Sequence, residues 1–192
     1  GSLAGVFLGF AGGEFGQALA ASSPMGGGSV YAATGSACSI AAGRLPYTLG
    51  LHGPCASYDT ACSAALAASH AAVCGLRRSE AAIGLALGVT LVLGPGVGTS
   101  FAVAGMTSAR GRSHTFDARA DGYARGEACG AMALQRGGAG EGFGLGLAGS
   151  AVRQDGRSAS LTAPNGQAQQ GLLSAALADA HAVPDALALN EA

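Results

Sequence analysis

Apolar positions in this chain fall in short continuous blocks separated by glycine, a pattern that predicts buried strands. Residues 6–10 form one block, closed by Gly12-Gly13, and residues 83–89 form another. Residues 128–134 and 143–152 alternate or run apolar, which predicts two more strands around a loop at 137–142, and residues 187–191 begin a last one. Residues 63–76 are Ala-rich and free of Pro, so they predict a helix. Its faces are apolar or small almost all round, with His70 the one polar ring, and a helix without a polar stripe belongs in the interior. A second helix is expected over 34–45, entered from the Gly26-Gly27-Gly28 run, capped by Thr34 or Ser36 and ended before Pro46. A third, amphipathic, covers 167–181, led in by Pro164-Asn165-Gly166 and stopped before Pro184. The stretch 94–112 reads as loop, since Gly94-Pro95-Gly96 is turn chemistry.

Composition narrows the picture without adding chemistry. A length of 192 residues suits one domain, or one and part of another. Charged residues make up only 11% and the formal net charge is −1, which argues against a basic surface for nucleic acid or anionic lipid. All 10 basic residues are Arg, a bias that we attribute to coding composition. The 34 glycines follow no period of three, so collagen-like and linker readings fail. The 5 cysteines contain no C-x-x-C pair, so neither a disulfide framework nor a zinc site is expected. A reducing compartment fits better: the cytoplasm, with a plastid as the other option. Residues 81–109 carry no charge and reach the length of a membrane span, but Gly84, Gly88, Gly94, Pro95 and Gly96 break them, and strand followed by loop is the simpler reading. Gly1 reads as a cut inside a longer chain, with no leader pattern behind it.

The candidate chemistry centres on Cys62. Residues 54–58 look extended and the 63–76 helix follows, so Cys62 sits where a strand turns into a helix. A thiol there meets unpaired N–H groups and the positive end of the helix dipole, which favour thiolate and can hold a developing oxyanion. The competing reading is a buried structural cysteine, the common fate of that residue type. His70 cannot serve as base for Cys62, because eight residues of helix separate them by about 12 Å. His52 fails in the same way, with the strand holding it on the order of 30 Å off. His114 and His181 stay open on local geometry. The acids and arginines of residues 116–127 could form a paired-carboxylate or metal site, but no ligand stands at the right spacing, and turn-forming Asp121-Gly122 is the simpler use. Gly144-Leu145-Gly146-Leu147-Ala148-Gly149 fits G-x-G-x-x-G, yet Gln154-Asp155-Gly156 turn chemistry follows it and not a helix, so no dinucleotide site is implied.

Asp59-Thr60-Ala61-Cys62-Ser63-Ala64, preceded by Gly53-Pro54, resembles the active-site segment of the β-ketoacyl synthases. Two further blocks agree in order and spacing: residues 116–127, Phe-Asp-Ala-Arg-Ala-Asp-Gly-Tyr-Ala-Arg-Gly-Glu, and Gln154 to Ser158 with Leu161 to Gly166. Together they resemble a ketosynthase domain of a modular type I polyketide synthase. The resemblance implies a thiolase-like layered αβαβα fold, with residues 1–140 as the nucleophile-bearing N-terminal half and 141–192 as the start of the C-terminal half. It implies Cys62 as nucleophile, with its own backbone N–H as an oxyanion donor, and Asp117, Asp121, Arg125 and Glu127 fixing a loop beside the active site by internal ion pairs and hydrogen bonds. Residues 31–35 and 42–45 would line the acyl pocket and a dimer contact. The family's His-Gly-Thr-Gly-Thr motif would begin just after Ala192, with a second histidine and a lysine beyond, so these residues alone are not expected to condense. Implied partners are acyl carrier protein, an adjacent acyltransferase domain and a second copy in a homodimer. No nucleic acid, membrane, metal or bound cofactor is implied, and substrates would arrive on the phosphopantetheine of the carrier. A ketosynthase of fatty-acid synthesis and a condensation-deficient relative are the alternatives.

Overall fold

The computed structural model describes residues 2–22, 31–137 and 145–188. The chain divides into two compact units, Gly1–Leu134 and Gln135–Ala192.

The first unit is built on four strands: β1 (Ala4–Phe10), β2 (Cys55–Tyr58), β3 (Ile83–Thr90) and β4 (Ala128–Gln135), in the order β2-β1-β3-β4. β1 lies parallel to both neighbours, with Val6 opposite Cys55 on one side and Leu85 on the other. The crossovers are helical: α1 (Glu14–Ser22), α2 (Ala32–Ser36) and α3 (Cys38–Leu49) lead from β1 to β2, and α4 (Ala64–Arg77) leads from β2 to β3. A fifth helix, α5 (Pro95–Val103), follows β3.

Strand periodicity sorts the side chains of β1 onto two faces. Gly5, Phe7 and Gly9 face α4, and in register beside them stand Gly84, Ala86 and Gly88 of β3. The buried positions of α4 are Ala64, Ala68, Ala72, Gly75 and Leu76, one stripe at helical spacing. Small residues therefore meet small residues, and the helix lies close to the sheet. A Cβ on Gly9 would stand 2.4 Å from the carbonyl carbon of Ala64, a separation that only glycine permits. Phe7, 4% exposed, packs with Ala68, Ala72 and Ala86, with the half-buried Tyr58 ring against the same cluster. Burial on that scale stabilises by about 1.5–3 kcal/mol. Val6 points to the opposite face, where α3 buries Ala42, whose N–H donates to Ser57 Oγ at 3.3 Å.

Several expectations are corrected here. The expected helix at 34–45 is two helices, and α3 runs through Pro46 to Leu49. Neither Thr34 nor Ser36 caps it: the N-cap is Ala37, and Thr34 Oγ1 bonds back to Tyr31 O inside the first helix. Pro46 removes a single N–H near the helix end, a loss the last turn accommodates, and its own carbonyl accepts from Gly50 and Leu51. Gly50, at φ 64, supplies the left-handed residue that ends the helix. Residues 95–103 are helical because Pro95 occupies the first turn, where its missing N–H costs nothing. The helix at 14–22 has no counterpart among the expectations. Helix α4 is covered on one face only, and Leu66 is 74% exposed.

In the second unit, α6 (Gly166–Asp179) starts where Asn165 Oδ1 accepts from the N–H groups of Gln167 and Ala168. Asp155 in turn takes the Asn165 N–H at 2.9 Å. Residues 145–152 form no strand. A strand needs a ladder partner, and among the described residues none pairs with this stretch; Ser150 N–H donates instead to Asp179 Oδ2 at 2.8 Å. The glycine run 26–28, most of the 137–142 loop and the greater part of the last expected strand lie outside the described residues. No helix among the described residues is long and apolar enough to cross a membrane.

Candidate active site

Cys62 lies between β2 and α4, in a single 3-10 turn over Ala61–Ser63. The turn is tight: Ala61 sits at φ 55, a region that a residue with a Cβ adopts only under constraint. The constraint is visible. Asp59 Oδ1 accepts the Ala61 N–H at 3.1 Å, and Ser63 Oγ donates to Thr60 O at 2.9 Å. Ser63, the N-cap of α4, makes no side-chain cap; its own N–H bonds to Thr60 O at 3.4 Å, and the Ala64 N–H bonds to Ala61 O. An exposed thiol thus stands one residue before the N-cap of a fourteen-residue helix.

A cavity of about 650 Å³ opens beside Cys62. Its walls come from the C-terminal ends of β1 and β3, the first turns of α4 and the strand β4, among them Phe10, Ala65, Ser69, Val89 and Met132. Ligands in open parallel sheets bind at such strand ends. A second cavity, about 270 Å³, borders Phe10, Glu14, Ser36, Arg44, Thr90 and Leu93. Phe10, Ala11, Val89 and Thr90 line both, so the ends of β1 and β3 form a shared wall.

The four loop residues separate into two pairs. Asp117 accepts from Arg119 through its N–H, Nε and Nη2, the last at 2.7 Å, and this guanidinium lowers the carboxyl below its ordinary range. Asp121 accepts from Ser108 Oγ at 2.5 Å and lies 3.5 Å from Arg110. Asp117 stitches a local turn, whereas Asp121 ties its block to residues 108–110. Arg125 and Glu127 reach outside their block: Arg125 Nη2 meets Glu14 Oε1 at 2.5 Å, and Glu127 Oε1 accepts the Val92 N–H at 2.7 Å. Arg125 also stacks on Phe101, its guanidinium carbon 5.6 Å from the ring centroid. Among the described residues no ion pair or hydrogen bond joins any of the four to Cys62.

Glu14 escaped the sequence reading. Its carboxylate is only 10% exposed and takes the N–H groups of Leu93 at 2.8 Å and Gly94 at 3.3 Å besides Arg125. Arg125 foremost, then the Leu93 amide, hold its carboxyl below the usual value. The only local signal was an acid in the first turn after Gly12-Gly13. His70 is paired along its own helix, Nε2 to Cys74 Sγ at 3.5 Å. Burial pushes the Cys55 thiol up. Among the described residues no three His, Cys, Asp or Glu side chains gather as a metal site would require.

A sheet with β1 parallel to both its neighbours, a thiol on a constrained strand-to-helix corner and an apolar cavity at the strand ends define an α/β domain. Comparison with known proteins makes the assignment specific. The model of the β-ketoacyl synthase N-terminal domain matches residues 1–139, and that of the C-terminal domain matches residues 146–192. The chain belongs to the β-ketoacyl synthase family. It is 47% identical over 154 residues to erythronolide synthase EryA3 of Saccharopolyspora erythraea, covering 78% of this chain and 5% of that one. To polyketide synthase GfsB of Streptomyces halstedii it is 44% identical over 184 residues, 94% of this chain and 3% of the relative. Among solved structures, the oxazolomycin ketosynthase domain OzmH KS7 of Streptomyces albus JA3453 superposes with a TM-score of 0.84 at 30% identity, covering 94% of this chain and 32% of that one. The ketosynthase from module 6 of the Bacillus subtilis 168 bacillaene synthase gives 0.78 at 32% identity, with 94% and 31% covered. The thiolase-like fold expected from the motifs is the fold of these ketosynthases and of this chain. The chain spans 3–12% of the length of the curated relatives it matches, and about a third of the solved ones.

Proposed function

We propose that this chain carries the acyl-accepting nucleophile of a polyketide ketosynthase. The observation that carries the reading is Cys62 itself, an exposed thiol just before α4 beside a cavity of about 650 Å³ walled largely by apolar residues. In the first step Cys62 Sγ attacks the carbonyl carbon of an acyl thioester on the phosphopantetheine of an acyl carrier protein. The oxyanion of the tetrahedral intermediate takes the Cys62 N–H, the pantetheine C–S bond breaks, and the released sulfur receives the cysteine's proton. In the parent polyketide synthase a malonyl-type thioester then loses carbon dioxide, the electron pair left on its α-carbon attacks the Cys62 thioester, and the Cys62 C–S bond breaks to release a β-ketoacyl product; none of the residues named here catalyses that condensation. Asp117, Asp121, Arg125 and Glu127 support the loops around this site and touch no reacting atom. The names of the relatives, polyketide synthases throughout, favour polyketide over fatty-acid chemistry.

The same reading assigns the division at 140/141 between two ketosynthase halves. It also assigns carrier protein, a neighbouring acyltransferase domain and a second copy of the chain as partners, and a cytoplasmic setting, with no cofactor beyond the carrier's arm. The test is covalent loading. Purified protein is incubated with an acyl N-acetylcysteamine thioester and the peptide spanning residues 45–77 is fragmented in a mass spectrometer. Acylation on Cys62, lost in Cys62→Ala, is the expected result; acylation shared equally by Cys55 and Cys74, or none, would overturn the proposal.

A further inference from the structure

Glu14 organises the rim of the candidate site from a distance in sequence. Its two carboxylate oxygens divide the work: Oε1 meets Arg125, while Oε2 accepts the N–H groups of Leu93 and Gly94. Glu127 accepts the preceding amide, that of Val92. Three successive N–H groups leaving β3 are therefore held by two carboxylates, at the point where the strand gives way to α5. That exit is shared ground: Val89 and Thr90 line the cavity beside Cys62, and Thr90, Leu91 and Leu93 line the second one. Arg125 is 20% exposed and bears on Phe101 of α5, so Glu14 ties α1, the β3 exit, α5 and the Arg125 segment at one carboxylate.

We infer that Glu14 is a positioning residue for acyl transfer, fixing the wall at the end of β3 against which the acyl chain is received. The inference rests on the proposed function above and adds a residue to it. Glu14 touches neither Cys62 nor the reacting carbonyl; it acts through Arg125 and the amides of Leu93 and Gly94. A glutamine there has one oxygen and no charge, so it can keep the Arg125 contact or the amides but not both.

The experiment compares wild type with Glu14→Gln by two readings. Amide hydrogen exchange at Leu93 and Gly94 should rise about tenfold or more in the variant, with β1 amides unchanged, the size expected when hydrogen bonds to a charged group are lost. Loading of Cys62 from acetyl and octanoyl thioesters should show a KM several-fold higher for octanoyl, with acetyl loading and iodoacetamide alkylation of Cys62 near wild type. Arg125→Lys, which keeps a cation beside Glu14, should restore part of the exchange protection that Arg125→Ala loses. Unchanged exchange at Leu93 and Gly94 overturns the inference, and so does a fall in maximal loading rate with KM unchanged. If wild-type protein loads no acyl group, the proposed function fails, and with it the acyl role of Glu14; the exchange result then rules on the clamp alone.

Discussion

The close approach of α4 to β1 sets the height of Cys62 above the sheet, and Gly9→Ala tests it. The new Cβ would stand 2.4 Å from both the carbonyl carbon and oxygen of Ala64 and 2.5 Å from the Ala65 nitrogen. All three are backbone atoms, so no side-chain rotation relieves the overlap. To regain van der Waals contact the first turn of α4 must lift by about 1 Å, with Cys62 two residues before it. Overpacking of this kind costs about 1–3 kcal/mol, or roughly 2–10 °C in Tm for a chain of this length. A misplacement of about 1 Å at a reacting group costs on the order of 100-fold in rate. The assay is Cys62 loading from an acyl thioester alongside thermal melting. Gly43→Ala is the control for the melting measurement alone: it lies inside α3, a Cβ there meets nothing within 4 Å, and the change should stabilise by about 0.5–1 kcal/mol. If Gly9→Ala melts with wild type and loads Cys62 at the same rate, glycine is not what places the nucleophile.

Two further outcomes follow from the packing and the charges. Phe7→Ala removes the buried ring between β1 and α4 and should cost about 3–5 kcal/mol, read as a lower midpoint in urea with unchanged slope. The Glu14 carboxyl is depressed in the folded state below its usual 4.5, foremost by Arg125, so its contribution is complete above that pH and is lost as pH falls through the lower folded value. The stability gap between wild type and Glu14→Gln should therefore narrow on acidification from pH 7 towards pH 3; a gap that stays constant or widens refutes the assignment.

Local pattern was enough for the elements whose partners do not matter to their identity. The apolar runs at 6–10, 83–89 and 128–134 are strands because no polar face interrupts them, and the Ala-rich stretch after Cys62 is a helix for want of any breaker. The corner at Cys62 followed from the join between the two. Asn165 before α6 likewise carries its cap in its own side chain. Tertiary structure decided what depends on distant groups. Residues 145–152 have the composition of a strand and no described strand beside them, and a ladder cannot be inferred from one of its sides. Pro46 stays helical because α3 ends within a turn of it, and Pro95 begins α5 instead of breaking a loop. Glu14 and Arg125, 111 residues apart, have no shared periodicity that would announce them. Their pairing exists because the β1 and β3 ends lie side by side in the sheet, bringing the segments that leave those strands to one edge of the cavity.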